Sequence, residues 1–282
     1  MKKLLTTLLL LVIAMTFANC GQSEPAAPQK SGDKIGALTP IGMSEEDVKR
    51  WTENVATAEG KPAGYVNPHT IIFFDDVYTM VAALKSKQID RFAVCRRVGT
   101  YIVAQDDELK LIDKKHKPIL GCAMAMLKEA NAQVEEINAA IESMKEDGTL
   151  DKLIKENITD LGGNAPVAKP IDVIEGAPTI KVAVTGDLPP MDFVLPDGTP
   201  AGFNIAFLNE LSKRINKNFE LVKIDANARS AALSSGQVDA LFWVVDTYDH
   251  DGKALSYPLD KMEGVTVSVP YIIDSRVAVT LK

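Results

Sequence analysis

Beyond residue 19 the sequence lacks any apolar run long enough to cross a membrane, and it has few cysteines and histidines. The histidines are scattered at His69, His116 and His250, and no CxxC or HExxH spacing occurs, so we predict neither a metal site nor a cofactor. Removing residues 1–19 takes away two of the 31 basic residues and none of the 38 acidic ones, leaving a net charge of −9. This balance argues against nucleic acid or anionic lipid as the main partner.

The N-terminus has the pattern of a signal peptide over residues 1–19. Lys2 and Lys3 precede a nearly unbroken apolar run, Leu4 to Ala18, which is shorter than the ~20 residues that a spanning helix needs. The following FANC, ending at Cys20, is similar to a bacterial lipobox, although Asn19 is unusual before the cysteine. We therefore expect export and lipidation of Cys20, with ordinary cleavage or an uncut anchor as alternatives.

A polar stretch containing Pro25, Pro28 and Gly32 follows, and it predicts a flexible tether over residues 20–33. About 250 residues remain, enough for two lobes of ordinary domain size. Their composition, 46% hydrophobic and 24% charged over the whole chain, is that of a globular protein. Cys95 and Cys122 are the only cysteines after Cys20, and a disulfide and two buried free thiols are both open to them.

An internal repeat divides these residues. The segment AALKSKQID, Ala82 to Asp90, is matched 149 positions later by AALSSGQVD, Ala231 to Asp239. At the same offset Asp76 corresponds to Asp225. Each half therefore predicts strand, helix, strand, short helix and strand in that order.

Local patterns support an α/β fold with two lobes, each a mostly parallel sheet flanked by helices. The run Val238 to Val245 is continuously apolar, which is typical of a strand buried on both faces. Asp76, Asn204 and Asp225 are placed to cap helices. The other predicted strands are Ile35–Thr39, Thr70–Phe74, Ile89–Val94, Ile180–Val184 and Phe219–Ile224, and the predicted helices lie near Ser44–Val55, Tyr78–Leu84, Phe207–Ile215 and Ala228–Ser235.

A different unit lies between the halves. Val134, Ile137, Ile141 and Met144 repeat at helical spacing, and Thr149 can cap a second helix that continues to Ile158. The proline-containing stretch Gly162 to Ala177 then predicts a connecting loop.

The second half resembles the N-terminal part of the family 3 extracellular solute-binding proteins, which serve ABC importers. The resemblance rests on IKVAVTGDLPPM from Ile180, GFN from Gly202 and ALSSGQVD from Ala232. SVPY from Ser268 and VAV from Val277 resemble the strand with which that family crosses from lobe one to lobe two. The first half is similar to the later part of the family, including its closing helices, so the resemblance covers roughly residues 34–282. It implies a type II periplasmic-binding-protein fold and no enzymatic activity.

The order of the parts is inverted relative to that family, which implies a circular permutation. The implied boundaries are residues 34–120 for lobe two, 121–178 for the closing helices and connecting loop, and 179–282 for lobe one. Two truncated binding domains in tandem are the rival interpretation. Permutation is preferred because every expected element occurs once.

Ligands of open α/β sheets bind beyond the carboxyl ends of the strands, so candidate site residues follow the predicted strands. The Arg229 guanidinium would suit a substrate carboxylate, whereas Asp187 is as well explained by a turn and Trp243 by the core. Pairing with a surface carboxylate is the alternative for Arg229. The full set of candidates is Asp187, Pro189, Phe193, Arg229, Trp243 and Asp246 in lobe one, with Thr39 and Arg96 in lobe two.

The amino-acid clamp that the resemblance implies is missing. Where that family has a serine or threonine stretch followed by arginine, this chain has VVDTYDH from Val244, and Cys95-Arg96 replaces the expected aspartate. We therefore predict a monomeric, membrane-anchored receptor that binds a small polar solute and docks on an ABC permease. A dehydratase-like enzyme on the same scaffold and a sensing receptor without transport are the alternatives.

Overall fold

The structure is a computed structural model, and it describes residues 32–42, 44, 46–47, 49–50, 67–112, 119–195, 197–248 and 262–282. The predicted signal peptide, Cys20, nearly all of the tether and most of the predicted helix near Ser44–Val55 lie outside these residues. Residues 32–282 belong to one compact unit. Within the described ranges, no helix combines the length and apolar character needed to span a bilayer.

The first half forms one sheet with helices packed against it. Its elements are β1 (Lys34–Leu38), β2 (Thr70–Phe74), α1 (Val77–Lys85), β3 (Arg91–Cys95), α2 (Arg96–Gln105) and β4 (Leu109–Ile112). Helix α1 begins at Asp76, whose carboxylate accepts a hydrogen bond from the Thr79 N–H at 2.8 Å. The predicted cap at Asp76 is therefore confirmed.

The middle of the chain contributes a long strand and the two predicted helices. In order these are β5 (Ile119–Leu127), a short 3₁₀ turn (Lys128–Ala130), α3 (Asn131–Glu146), α4 (Thr149–Ile154) and a π turn (Lys155–Thr159). Helix α3 buries Val134, Ile137, Ile141 and Met144 along one stripe, as the spacing predicted.

The second half builds the second large sheet and a small three-stranded one. Its elements are β6 (Thr179–Val184), β7 (Asp187–Leu188), β8 (Asp192–Val194), β9 (Pro200–Ala201), α5 (Phe203–Ile215), β10 (Asn218–Lys223), a 3₁₀ turn (Ala226–Ala228), α6 (Arg229–Ser234), β11 (Ala240–Tyr248), β12 (Val265–Val267) and β13 (Ile272–Leu281). Strands β7, β8 and β9 form the small sheet.

The two large sheets have the same strand order. In the first sheet the order is β2-β1-β3-β13-β4, and in the second it is β10-β6-β11-β5-β12. The first three strands of each are parallel, and the fourth, β13 or β5, is antiparallel to its neighbour. The predicted α/β class with two mostly parallel sheets is confirmed.

Strand β13 joins the sheets. Its residues 272–275 pair with β5 in the second sheet, and residues 276–281 pair with β3 and β4 in the first. Helix α2 holds the strand near this transition, because the Arg97 N–H donates to the Asp274 carboxylate at 3.0 Å and the Arg96 Nε donates to the Ser275 hydroxyl at 3.1 Å. The crossing implied by the family resemblance is therefore present.

The repeat extends to equivalent hydrogen bonds. The Asp90 carboxylate accepts from the Lys34 N–H at 2.7 Å, and the Asp239 carboxylate accepts from the Lys181 N–H at 2.8 Å. Asp90 also binds the C-terminal end of the described chain, because its backbone carbonyl accepts a hydrogen bond from the Thr280 hydroxyl at 3.0 Å. These aspartates, 149 positions apart, fix the start of the first strand of each sheet.

Three predicted caps are wrong. Asp225 precedes the 3₁₀ turn but makes no side-chain cap. Gly148, in the left-handed region at φ 75°, occupies the cap position of α4, so Thr149 is the first helical residue. Gly202 occupies the cap position of α5, and Asn204 lies inside that helix, almost fully buried.

An aromatic cluster lies where β13 enters the second sheet. Tyr271 packs against Phe207 and Phe242, with ring centroids 4.8 Å apart in both pairs, and Phe203 and Trp243 lie around them. Because Trp243 also faces the space between the sheets, this cluster connects the core with the candidate site.

Candidate functional site

A cavity of about 100 Å³ lies between the two sheets. Because a single water molecule needs roughly 10–15 Å³, the space suits a small molecule. Its walls come from the carboxyl ends of strands in both sheets, as the parallel topology predicted. The lining residues are Leu38, Thr39, Pro40, Asp75, Ala93, Val94, Cys95, Leu120, Thr185, Asp187, Leu188, Ala226, Arg229, Trp243, Val245 and Arg276.

Four of the predicted site residues meet in this cavity. Thr39 comes from the first sheet, and Asp187, Arg229 and Trp243 come from the second. Both charge signs are therefore present on its walls, together with the aromatic side chain of Trp243. A small solute with polar and apolar parts would find partners for both.

Arg229 is buried and holds an irregularity in β11. The pairing register of β11 with β5 shifts between Leu241 and Val244, and Trp243 lies there in the left-handed region at φ 59°. The Arg229 Nη1 donates to the carbonyls of Phe242 and Trp243, at 3.1 and 3.4 Å. A conformation of this kind costs roughly 1–3 kcal/mol, and these two bonds help to stabilise it.

Trp243 is tied to the core at two points. Its backbone N–H donates to the Tyr271 hydroxyl at 3.2 Å. With the Asn204 amide oriented to satisfy both neighbours, its oxygen accepts from the Trp243 indole Nε1 at 3.3 Å and its nitrogen donates to the Met191 carbonyl at 3.2 Å. The indole therefore presents the rest of its ring to the cavity from a fixed position.

The loop after β6 is shaped by a buried acid that the sequence did not single out. One oxygen of the Asp192 carboxylate accepts hydrogen bonds from the N–H groups of Thr185 and Gly186, at 3.0 and 3.1 Å. Burial raises the pKa of Asp192 to about 6, although these hydrogen bonds oppose the shift. Asp192 thereby positions Thr185 and Asp187, which both line the cavity.

Because of Asp192, we expect stability to fall as the pH rises from about 4 to about 6. Its pKa is about 6 in the folded protein against 3.8 ordinarily, so between these values the folded state holds a proton that the unfolded state has released. The gap corresponds to roughly 3 kcal/mol at about 1.4 kcal/mol per pH unit. Urea unfolding of the wild type and of Asp192→Asn between pH 4 and 7 should show their difference in unfolding free energy shifting by about this amount in favour of the variant.

Asp197→Asn is the matched control. Asp197 is exposed in the same region, and hydrogen bonds from Thr199 lower the pKa of its carboxyl. Because this carboxyl is mostly ionised above pH 4 in both the folded and the unfolded state, Asp197→Asn should leave the pH dependence between pH 4 and 7 nearly unchanged. A difference between wild type and Asp192→Asn that stays constant over pH 4 to 7 would contradict the desolvation of Asp192.

The first sheet contributes polar groups, at Thr39 and Asp75, and the Cys95 thiol to the cavity wall. The Thr39 hydroxyl donates to the Phe74 carbonyl at 3.1 Å and to the exposed Asp75 carboxylate at 3.3 Å. Cys95 ends β3 at the cavity, and it and Cys122 are free thiols. Burial, with the neighbouring Cys95 thiol, raises the pKa of Cys122.

Asp187 lies where the second half of the chain contacts the first. Helix α1 contacts β7 here. Burial raises the pKa of Asp187, and the Asp76 carboxylate from the first half raises it further. Asp187 thus experiences a like charge from the first half of the chain.

Four other predicted site residues are not among those that line the cavity. Phe193 pairs with Asp187 and Ala201 in the small sheet, and Pro189 is buried in the preceding turn. Asp246 pairs with Gly121 in β11, and burial raises its pKa. Arg96 bonds to Ser275 instead. Their proposed contacts with a ligand stay predictions.

The sequence did contain signals for two of the residues that were missed. Asp192 is a single acid between the apolar residues Met191 and Phe193, and Arg276 is the one cation of β13, two residues after Asp274. An isolated charge in an apolar run indicates a buried charge, which needs partners. Among the described residues, no group of three His, Cys, Asp or Glu side chains could hold a metal ion.

Comparison with known families identifies the second half. Residues 180–280 match the profile of the bacterial extracellular solute-binding proteins, family 3. This segment, called the family 3 segment below, is therefore similar to that family. The family 3 segment contains nearly all of β6, all of β7 to β12 and most of β13. It supplies Asp187, Arg229, Trp243 and Arg276 to the cavity. No match to the chain was found among curated proteins.

Solved structures similar to the chain include three binding proteins. The zinc-bound ligand-binding component of an ABC-type import system from Staphylococcus aureus is 10% identical, with a TM-score of 0.42; 89% of this chain is covered, and the chain spans 66% of that protein's length. The alkanesulfonate-binding protein SsuA from Xanthomonas axonopodis pv. citri is 10% identical, with a TM-score of 0.38 and coverages of 91% and 67%. The GluR0 ligand-binding core from Nostoc punctiforme, in complex with L-glutamate, is 10% identical, with a TM-score of 0.34 and coverages of 89% and 85%.

Proposed function

We propose that the protein is an extracytoplasmic solute-binding lipoprotein that captures a small polar solute, such as an amino acid or a carboxylate, for an ABC importer. The observation that carries the proposal is the cavity between the two sheets, where the family 3 segment and the first half each supply polar groups. Such a site binds by closure of two lobes around the solute.

The size and charge of the cavity support a small, polar solute. Its volume of about 100 Å³ leaves no room for a long peptide. Arg229 and Arg276 offer positive charge, whereas Asp75 and Asp187 offer negative charge. A charged solute leaves water only if its charges are paired in the site, and these side chains provide such partners.

The cellular location and the partners follow from the N-terminus and from the family. The predicted signal peptide over residues 1–19 would direct export, and lipidation of Cys20 would hold a monomeric receptor at the outer face of the cell membrane. The closed, loaded form would dock on a membrane permease. We also propose that the chain is a circular permutant, because the sheet built by the first half precedes the family 3 segment and both ends of the described chain meet at Asp90.

We expect a bound solute to raise the melting temperature. At a concentration 100 times its Kd, a ligand that binds only the folded state adds about 2.7 kcal/mol to the unfolding free energy. For a protein of this size that corresponds to roughly 5–10 °C. A thermal-shift screen of the protein without its signal peptide, against amino acids, carboxylates, amines, sulfonates and sugars, measures the effect.

Two controls make the screen decisive. Intrinsic fluorescence is a second readout, because Trp243 lines the cavity and Trp51→Phe leaves it as the only tryptophan. NMR of each stabilising compound after incubation separates capture from turnover. If no compound shifts the melting temperature, solute capture loses its basis; if a compound is converted, the dehydratase-like alternative replaces it.

A further inference from the structure

Arg276 contributes a second guanidinium to the cavity, from an unusual position. It lies in β13, opposite Cys95 in register, just where the strand passes from the second sheet to the first. It lines the cavity and is half-buried, and burial lowers its pKa. Because arginine is not deprotonated in proteins at ordinary pH, this side chain remains a cation. The strand therefore places a fixed positive charge inside the molecule, at the junction of the lobes.

Arg229 faces the same cavity with part of its guanidinium unused. Its Nη1 donates to two carbonyls of β11, and its Nε donates weakly to the Ala226 carbonyl at 3.5 Å. Within the described residues no acceptor is assigned to its Nη2, and the one buried side-chain polar atom without a partner there is Ser212 Oγ. The Nη2 group therefore retains contact with the solvent of the cavity, although Arg229 as a whole is only 7% exposed.

The two arginines reach the cavity from different elements of the fold. Arg229 already supports the irregularity at Trp243, so only one of its terminal nitrogens remains for a ligand. Arg276 extends from a regular strand and reaches the cavity from the other lobe. A buried cation stabilises an anion strongly, because little water screens the charges.

We propose that Arg276 and the Nη2 of Arg229 each bind one acidic group of the solute, which is therefore a small dicarboxylate. This inference rests on the proposed function and narrows its solute class. The two cations come from opposite sides of the cleft, so a solute with two carboxylates links the lobes in the closed form. Asp75 and Asp187 line the same cavity. Asp75, in the loop after β2, already accepts a bond from Thr39, and Asp187 belongs to the short strand β7. An amino group on the solute would pair with Asp187.

Succinate and butyrate are the matched probes, because both have four carbons and only succinate has a second carboxylate. In the Trp51→Phe protein, titration followed by Trp243 fluorescence should show succinate binding roughly 30-fold tighter or more, as expected for a desolvated charge pair. Arg276→Gln should reduce this preference to about threefold or less, and Arg276→Lys should restore part of it, since lysine keeps the charge but loses the planar pair of donors.

Lys152→Gln is the control for the loss of one positive charge, because the Lys152 side chain is 70% exposed on α4. It should keep the full preference for succinate. Circular dichroism and the melting temperature of each variant establish that it is folded; if Arg276→Gln does not fold, Arg276→Lys carries the comparison.

Three results would overturn the inference. The first is equal binding of succinate and butyrate by the wild type, and the second is a preference that survives in Arg276→Gln. The third is no binding of either acid at 10 mM while amines, sugars or monocarboxylates shift the melting temperature. In that last case solute capture stands and the dicarboxylate assignment falls, so the two failures are distinguishable.

Discussion

Replacing Tyr271 with alanine should lower the unfolding free energy by about 3–5 kcal/mol, the range for deleting a fully buried aromatic side chain. Tyr271 is 1% exposed, and its ring lies 4.8 Å from Phe207, 4.8 Å from Phe242 and 5.8 Å from Trp243 between centroids. Its neighbours come from α5 and β11, so they cannot all move into the space left behind. The cavity therefore remains, together with the cost of the lost contacts.

Urea unfolding of Tyr271→Ala and Tyr271→Phe separates the ring from the hydroxyl. Phenylalanine keeps the aromatic contacts and loses only the acceptor for the Trp243 N–H, so we expect a loss of about 1 kcal/mol. A Tyr271→Ala protein that is less than 1 kcal/mol weaker than the wild type would contradict the central place of this ring. Equal losses in both variants would instead assign the stabilisation to the hydrogen bond.

Gly202→Ala should cost about 2–4 kcal/mol, from backbone strain combined with a steric clash. Gly202 has φ 94° and ψ −172°, a conformation that is almost restricted to glycine. A Cβ there would lie 2.5 Å from the Pro190 carbonyl oxygen and 3.0 Å from that of Met191. Both are backbone atoms, so they cannot move aside as a flexible side chain could.

The clash should also disturb the cleft. The Pro190 and Met191 carbonyls accept hydrogen bonds from the first N–H groups of α5, at Phe203 and Asn204. Since Asn204 contacts Trp243, displacement of this turn should weaken solute binding as well as stability. Thermal unfolding and the fluorescence titration test the two effects on the same protein.

Gly198→Ala is the matched control. Gly198 also has a positive φ, 85°, but a Cβ would meet nothing within 4 Å. It should therefore show only the cost of the left-handed conformation, roughly 1 kcal/mol. If both variants lose the same amount, the close approach of Gly202 to the Pro190 carbonyl has no energetic weight.

The repeated half-sheets were predictable from the sequence because local patterns and long-range similarity agreed. The β2 boundaries, Thr70–Phe74, match the prediction, and the other strands of the repeat differ by one to three residues. The AAL and Asp motif marks the same turn in both halves, and its aspartate makes the same bond in both sheets. Such a motif predicts structure because it fixes both a helix end and the next strand.

Strand β5 was not predicted, and its composition explains why. Its sequence ILGCAMAML contains glycine, alanine and methionine, which have little intrinsic preference for strands. Its conformation is imposed by β11 and β13 on either side. Sequence patterns report local preference, whereas a central strand of this kind is specified by its neighbours.

The candidate site was predictable in outline for a related reason. Side chains that follow parallel strands can be located from the strands alone, and this brought Thr39, Asp187, Arg229 and Trp243 to the cavity. Arg276 lies within the crossing strand β13, so it could not be predicted from its position after a parallel strand. Asn204 was mistaken for a cap because Asn is common at helix starts, and only the fold shows that its amide faces Trp243.

Both ends of the described part of the chain meet at Asp90, and this has a mechanical consequence. The start of β1 and the end of β13 lie at the same edge of the first sheet, with β3 between them. A force that pulls these ends apart would act across the strands, so their hydrogen bonds would break one after another. When two strands are pulled along their length in opposite directions, all the hydrogen bonds between them bear the force at the same time. The arrangement in the first sheet lacks this shared resistance. Under such a force the hydrogen bonds of the first sheet would break one pair at a time, so the sheet would separate at low force. The second sheet contains neither of these two ends, and it would stay folded until β13 had been pulled away from β5.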